Sequence, residues 1–236
     1  MPGTPSREKD AMNPVAKRMT QVALSIAFSA LLLFGGSGRL GWIWAWVYLA
    51  LSVAVVVANA ATLLPSHRDV IAERAGVGAG AKRWDRWLGG GTAVATVVGL
   101  LVAGLDARLS WTAPVPLYTH VVGIACMITG NALFTWALAV NPFFSTIVRI
   151  QTDRGHRVVD TGPYRSVRHP GYVGWIVTAL GTPVLLGSVF ALAPAVLGCA
   201  LMIWRTATED RTLRDELPGY ADYARRVRYR LMPGVW

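Results

Sequence analysis

Apolar runs separated by short polar breaks set the outer limit on what this chain can fold into. They cover residues 19–36, 42–64, 88–105, 117–140 and 172–204. A bilayer core is crossed by a helix of about 20 apolar residues, and lipid forces the backbone to satisfy its own hydrogen bonds. Each of the first four runs is suited to one span. The fifth, residues 172–204, is too long for one span and long enough for two short ones. Gly181, Pro183, Gly187 and Pro194 punctuate it, so a helical hairpin turning near Gly187-Ser188 is expected. The fold class that follows is an all-α, polytopic integral membrane protein with about six transmembrane helices. A mean hydropathy of +0.42, only 15% charged residues and ten tryptophans agree with that class. The first run is followed at once by a second, which argues for a retained span over a cleaved signal peptide.

Three regions are expected. Residues 1–18 are polar and proline-bearing and read as a disordered cytoplasmic tail. Residues 19–140 form a four-helix transmembrane region. Within it, 65–87 is a connector too polar to span, 88–105 is weakened by Gly89-Gly90-Gly91, and 106–116 is a loop. His120 is expected at the interface and Asn131 in an interhelical hydrogen bond. Residues 141–236 carry an interfacial segment, a polar hinge, the hairpin and a charged C-terminal segment.

The net charge of +10 invites a nucleic-acid reading, but its placement argues for topology. In the six-span arrangement all of the 23 basic residues except Arg39 and Arg108 fall on one face. The positive-inside rule puts that face, with both termini, in the cytoplasm. Attraction to anionic lipid is a by-product, and no nucleic-acid partner is expected. The expected setting is a bacterial inner membrane. Cys126 and Cys199 lie in apolar runs without metal-ligand spacing or a disulfide framework, so they read as buried thiols, and no metal is expected.

The polar break at residues 162–174 differs from the others. Gly162-Pro163-Tyr164-Arg165 and Arg168-His169-Pro170-Gly171-Tyr172-Val173-Gly174 concentrate ring faces, hydrogen-bonding groups and permissive backbone at a membrane boundary. Glycine admits close approach, proline fixes the turn, and histidine and tyrosine offer polar contacts. The stretch reads as a ligand-binding hinge; an ordinary inter-helix turn would share the composition. Past the last apolar run come Arg205 and Glu209-Asp210. Arg205 and Glu209 are four apart and share a helix face, either as a surface ion pair or as a cation and carboxylate aimed at one cavity. The hairpin brings both back beside the hinge. Tyr220, Tyr223 and Tyr229 lie among Arg225, Arg226, Arg228 and Arg230, a pattern for anionic lipid or for walls around a cationic ligand.

Gly-Pro-Tyr-Arg, Arg-His-Pro-x-Tyr-x-Gly, two short apolar helices, an acidic pair and Gly-Tyr-x-x-Tyr together resemble the isoprenylcysteine carboxyl methyltransferase family. That family is related to phospholipid N-methyltransferases. The resemblance runs from about Asn141 to the C-terminus, and the first four spans match only as generic membrane helices. It implies S-adenosylmethionine as cofactor, bound at the cytoplasmic boundary. The positions resembling cofactor contacts are Gln151, His156, Arg157, Val158, Val159, Tyr164, His169, Pro170, Gly171, Tyr172 and Glu209. Arg205 matches the family's substrate-contacting arginine, so Arg205 and Glu209 are the candidate catalytic pair. Asp210 stands where a second glutamate is usual, and Gly171 where serine is common.

The implied acceptor is a lipophilic or prenylated molecule that enters from the bilayer. A carboxylate acceptor is already ionised and needs no base, and Arg205 would orient it. An amine or hydroxyl would require a base, with Glu209 or His169 as candidates. A phospholipid N-methyltransferase-like enzyme is the nearest alternative. An NADPH-dependent membrane reductase would use Arg154 and Arg157 for a phosphate. A non-enzymatic membrane component would place its polar groups nearer mid-bilayer.

Overall fold

The computed structural model describes residues 13–65, 68–75 and 81–236. Among the described residues the regular elements are all helical: α1 (Pro14–Ser37), α2 (Ile43–Leu63), α3 (Arg68–Ala75), α4 (Arg83–Leu109), α5 (Leu117–Val140), α6 (Pro170–Leu186), α7 (Leu192–Glu216) and α8 (Tyr220–Arg226). Four of them, α1, α2, α4 and α5, are long and apolar enough to cross a membrane. The chain is thus a polytopic membrane protein.

Two boundaries differ from the sequence expectation. Helix α1 begins at Pro14, inside the segment read as tail, because Asn13 caps it by accepting the Val15 N–H at 2.9 Å. Proline at the first helical position completes that start; residues 1–12 lie outside the described residues. Helix α4 begins at Arg83 and ends at Leu109, so it takes in part of the connector, the three glycines and part of the expected loop. It can carry buried Asp106 because that carboxylate is satisfied by the Thr112 N–H at 2.7 Å and by the Thr112 and Ser188 hydroxyls.

Helices α6 and α7 form the expected hairpin. Gly187, at φ 70°, caps α6, and the Ser188 N–H returns to Pro183 O at 3.0 Å. The arms are short. Helix α6 has 17 residues, about 26 Å at 1.5 Å per residue. Helix α7 is apolar only as far as Trp204 and then continues as a charged helix. Arg205, Glu209 and Asp210 therefore project from the middle of one rigid rod.

Close packing of α5 on α6 holds the hinge in place. A Cβ on Gly130 would lie 2.6 Å from Gly174 O, and one on Gly174 would lie 2.4 Å from Gly130 O. Seven residues along each helix, Gly123 and Gly181 repeat the arrangement against Leu185 and Cys126. Small residues at this spacing let two backbones touch, which is how membrane helices gain van der Waals contact without a hydrophobic driving force. Asn131 Nδ2 reaches Thr178 Oγ1 at 3.3 Å across the same interface, as expected. His120, in the first turn of α5, is buried: its Nδ1 lies 2.7 Å from Leu185 O and its ring stacks on Trp44 at 3.7 Å.

All the chemistry-bearing segments gather at the opposite end of the bundle. There the end of α5, the start of α6 and the charged half of α7 meet α3, the start of α4 and the irregular segment 141–169.

Candidate active site

The hinge is held by charge. Arg168 is buried and donates from Nε and Nη2 to the two oxygens of Asp210 at 2.7 and 3.2 Å. Its Nη1 donates to the carbonyls of Val227 and Arg228 at 2.6 and 2.8 Å. Asp210 also accepts from Arg230 at 2.9 Å and from the Tyr220 hydroxyl at 3.0 Å, and is fully buried. One carboxylate thus fastens the hinge, α7, α8 and the C-terminal segment. The backbone adds to it, since the N–H groups of Arg168 and His169 donate to Tyr229 O and Arg230 O at 3.0 Å each. Such a carboxylate is a structural hub, leaving its neighbour Glu209 for other work.

Above this platform lies a cleft that opens to solvent. His156, Arg157, Val158, Val159, Tyr164, His169, Gly171, Tyr172 and Glu209 line it. Two residues of the expected set do not. Gln151 is buried beneath, donating to Phe143 O at 2.7 Å and accepting from Arg154 at 2.6 Å. Pro170 is fully buried at the start of α6. Tyr220 and Tyr223 complete the wall, while Tyr229 lies outside it.

Burial pushes the Tyr164, Tyr220 and Tyr223 phenols up, so all three are neutral rings. Burial, with Arg149 and Arg154 nearby, lowers the pKa of His156. Its Nδ1 accepts the Gln151 N–H at 3.3 Å, which leaves the proton on Nε2 as a donor. Glu209 accepts a short hydrogen bond from the Tyr172 hydroxyl through Oε2. Among the described residues its other oxygen takes none, so it is open to an ammonium or a hydroxyl.

A second cavity, about 600 Å³, lies against the first. The two share Phe144, Ser145, Ile147 and Tyr172 as a common wall. The second is lined by Phe134, Trp175 and Met202 on its apolar side, and by Arg18, Arg74, Arg86 and Arg205 with Asp85 on its polar side. Gly89 and Gly90 also border it, so the glycines that weaken the third apolar run leave room there.

Arg205 does not pair with Glu209. Its Nε donates to Asp85 Oδ1 at 2.7 Å and its Nη2 to Thr146 O at 3.0 Å, and its guanidinium lies 5.4 Å from the Tyr172 ring centre. Asp85 and Arg168 are the two residues that sequence reasoning passed over. Asp85 sat in a charged connector with no spacing to single it out. Arg168 lies inside the hinge motif, but no sequence signal gives it a separate role there.

The sequence pattern of the isoprenylcysteine carboxyl methyltransferase family matches residues 122–215. Over that stretch the chain is similar to this family. Similar curated relatives are named protein-S-isoprenylcysteine O-methyltransferase. The one from Schizosaccharomyces pombe is 35% identical over 88 residues, covering 37% of this chain and 35% of the relative. That of Xenopus laevis is 34% identical over 93 residues, covering 39% and 31%. The Homo sapiens protein is 30% identical over 118 residues, covering 47% and 40%. The chain thus spans well under two thirds of the length of these relatives.

The segment that matches contains the hinge, the hairpin, Arg205, Glu209 and Asp210, while Arg18, Arg74, Asp85, Tyr220 and Tyr223 come from outside it. The Gly171 departure has a steric counterpart here: a Cβ at that position would lie 2.4 Å from the Phe144 ring. Phe144 thus occupies the space that a serine side chain would need.

Proposed function

We propose that this chain is an S-adenosylmethionine-dependent integral-membrane methyltransferase that O-methylates the carboxylate of a lipophilic or prenylated acceptor, working at the cytoplasmic face of a bacterial inner membrane. The observation that carries the reading is the pair of abutting cavities. One is polar and aromatic; the other combines a larger apolar surface with four arginines, and Tyr172 and Phe144 stand between them. A methyl donor and a lipid acceptor have to meet without mixing their environments, and this arrangement suits that need.

The donor set of the first cavity fits the cofactor. Glu209 has a free oxygen for an ammonium or ribose hydroxyl. His156 Nε2–H and the 156–159 backbone offer hydrogen bonds, and the neutral rings of Tyr164, Tyr172, Tyr220 and Tyr223 tolerate a sulfonium. When bound, S-adenosylmethionine supplies an electrophilic methyl group on a positively charged sulfur. The protein's part is alignment and exclusion of water. Tyr172, fixed by Glu209, orients the shared wall. Arg205, fixed by Asp85, places positive charge beside it. A carboxylate acceptor arrives ionised, so no side chain has to take a proton.

The reductase alternative keeps only Arg157 of its expected arginine pair, since Arg154 is engaged by Gln151 and by the Phe143 ring at 5.9 Å and does not line the cavity. Titration calorimetry of the detergent-solubilised protein with S-adenosylhomocysteine and with NADPH tests the cofactor. Binding of the first alone is expected, and binding of NADPH alone would refute the reading. Incubating a lipid extract with methyl-labelled cofactor then identifies the acceptor.

A further inference from the structure

Arg74 is a part-buried cation whose guanidinium is not fully partnered among the described residues. Its Nη1 is shielded from solvent without a hydrogen-bond partner, the only such side-chain atom among the described residues. Leaving a charged donor in that state is costly unless something else completes it. The position is nevertheless firmly built. Val70 and Ile71 of α3 pack against Leu63 and Leu138. The adjacent Glu73 is held by Arg149 through two hydrogen bonds of 3.0 and 3.1 Å, so that carboxylate is committed elsewhere. The Arg74 guanidinium lies 5.5 Å from the centres of both the Phe134 and Phe144 rings, which fix its plane. Burial, aided by Arg18 and Arg205, lowers its pKa only to about 10, so it stays charged at neutral pH.

Its surroundings suit one kind of ligand. Arg74 and Arg18 border the acceptor cavity and also a third groove, between α1, α2, α3 and α5. That groove is lined by Met19, Val22, Val56, Ala60, Leu63 and Leu138. An apolar groove therefore ends at two arginines, beside the wall formed by Phe144 and Tyr172. Arg205 is less suited to receive an anion, because Asp85 already neutralises it.

We propose that Arg74, with Arg18 beside it, binds the carboxylate of the acceptor, and that the acceptor's hydrocarbon chain lies in the groove between α1, α2 and α5. This rests on the methyltransferase reading for the word acceptor, but the site itself is an anion-headed amphiphile site whatever the reaction. It assigns selectivity to helices outside the segment that matches the family.

The test measures direct binding of N-acetyl-S-farnesylcysteine and of its uncharged carboxamide. The protein is placed in phosphatidylcholine nanodiscs so that no anionic lipid competes. The wild type should bind the carboxylate at least tenfold more tightly than the carboxamide. Arg74→Gln should abolish that preference and leave carboxamide binding unchanged. Arg74→Lys should keep part of it, because it retains charge without the planar fork, and Arg18→Gln should reduce it. Unchanged S-adenosylhomocysteine affinity in the variants shows that they are folded. Failure of the wild type to bind the carboxylate, or equal preference in wild type, Arg74→Gln and Arg74→Lys, overturns the proposal. Complete displacement of the probe by added phosphatidylglycerol would also overturn it, making the arginines a lipid-headgroup site. Loss of S-adenosylhomocysteine binding in the wild type would instead refute the methyltransferase reading and leave the anion site standing.

Discussion

Arg205 and Asp85 are 120 residues apart in sequence and joined at 2.7 Å from Nε to Oδ1. The second Asp85 oxygen accepts the Val148 N–H at 2.8 Å. This one carboxylate therefore links α4, α7 and the segment that walls both cavities. Both partners are buried, at 2% and 7% exposure, so removing one leaves a charge stranded. Asp85→Asn is expected to cost about 3–5 kcal/mol. Thermal denaturation in detergent measures it, and Arg205→Gln combined with Asp85→Asn should cost much less than the two singles added. Additive losses would show that the pair is not coupled.

Arg205 also borders the acceptor cavity, which separates its kinetic role from its structural one. Arg205→Lys keeps a charge near Asp85 but gives up the fork that reaches Thr146 O at the same time. We expect turnover to fall about tenfold or more while S-adenosylhomocysteine affinity is kept. Equal turnover in wild type and Arg205→Lys would confine Arg205 to holding α4 and α7 together.

Glu209 and Tyr172 act on the other cavity. Glu209→Gln removes the charge facing an ammonium or hydroxyl, and should weaken S-adenosylhomocysteine binding about tenfold or more, since a hydrogen bond to a charged group is worth about 1.5–3 kcal/mol. Tyr172→Phe frees Glu209 from its hydroxyl partner and should weaken it less. Calorimetry distinguishes the two. Asp210→Asn should behave differently from both, unfolding the hinge by stranding Arg168. Retained stability in Asp210→Asn would contradict the hub role derived from its contacts with Arg168, Arg230 and Tyr220.

The local features of this fold were legible in sequence because they are local. The hairpin turn at Gly187 was marked by its glycine and flanking prolines, and the α5 boundaries by an apolar run between Pro116 and Asn141-Pro142. The hinge announced itself through unusual composition. The partner of Arg205 was not legible: helical spacing points to Glu209, but a tertiary contact to Asp85 wins because α4 brings a buried carboxylate to the same point. The start of α1 was missed because Asn13-Pro14 looked like tail sequence, although Asn followed by Pro is also a cap. Arg74 left no sequence signal, since its significance lies in incomplete partnering, which only packing reveals.

Gly171 offers a test of how this chain departs from the family it resembles. A Cβ there would approach Phe144 Cε2 to 2.4 Å and Cζ to 2.6 Å, closer than real contacts allow. Phe144 has little freedom to move aside. It packs edge-on to Phe134, with centroids 5.4 Å apart, and lies 5.5 Å from the Arg74 guanidinium. Gly171→Ser, which installs the residue common in the family, should therefore cost about 1–3 kcal/mol, the usual penalty for overpacking. Because Phe144 belongs to the wall between the two cavities, the substitution should also raise the acceptor KM more than it weakens S-adenosylhomocysteine binding. Phe144→Leu makes room for the serine, so the double variant should recover most of the stability lost in Gly171→Ser. It should not recover the acceptor KM, since the ring face beneath Arg74 is gone. Stability comes from denaturation curves in detergent, and KM from methyl transfer at saturating cofactor. A double variant no more stable than Gly171→Ser would mean that Phe144 is not what excludes a side chain at position 171.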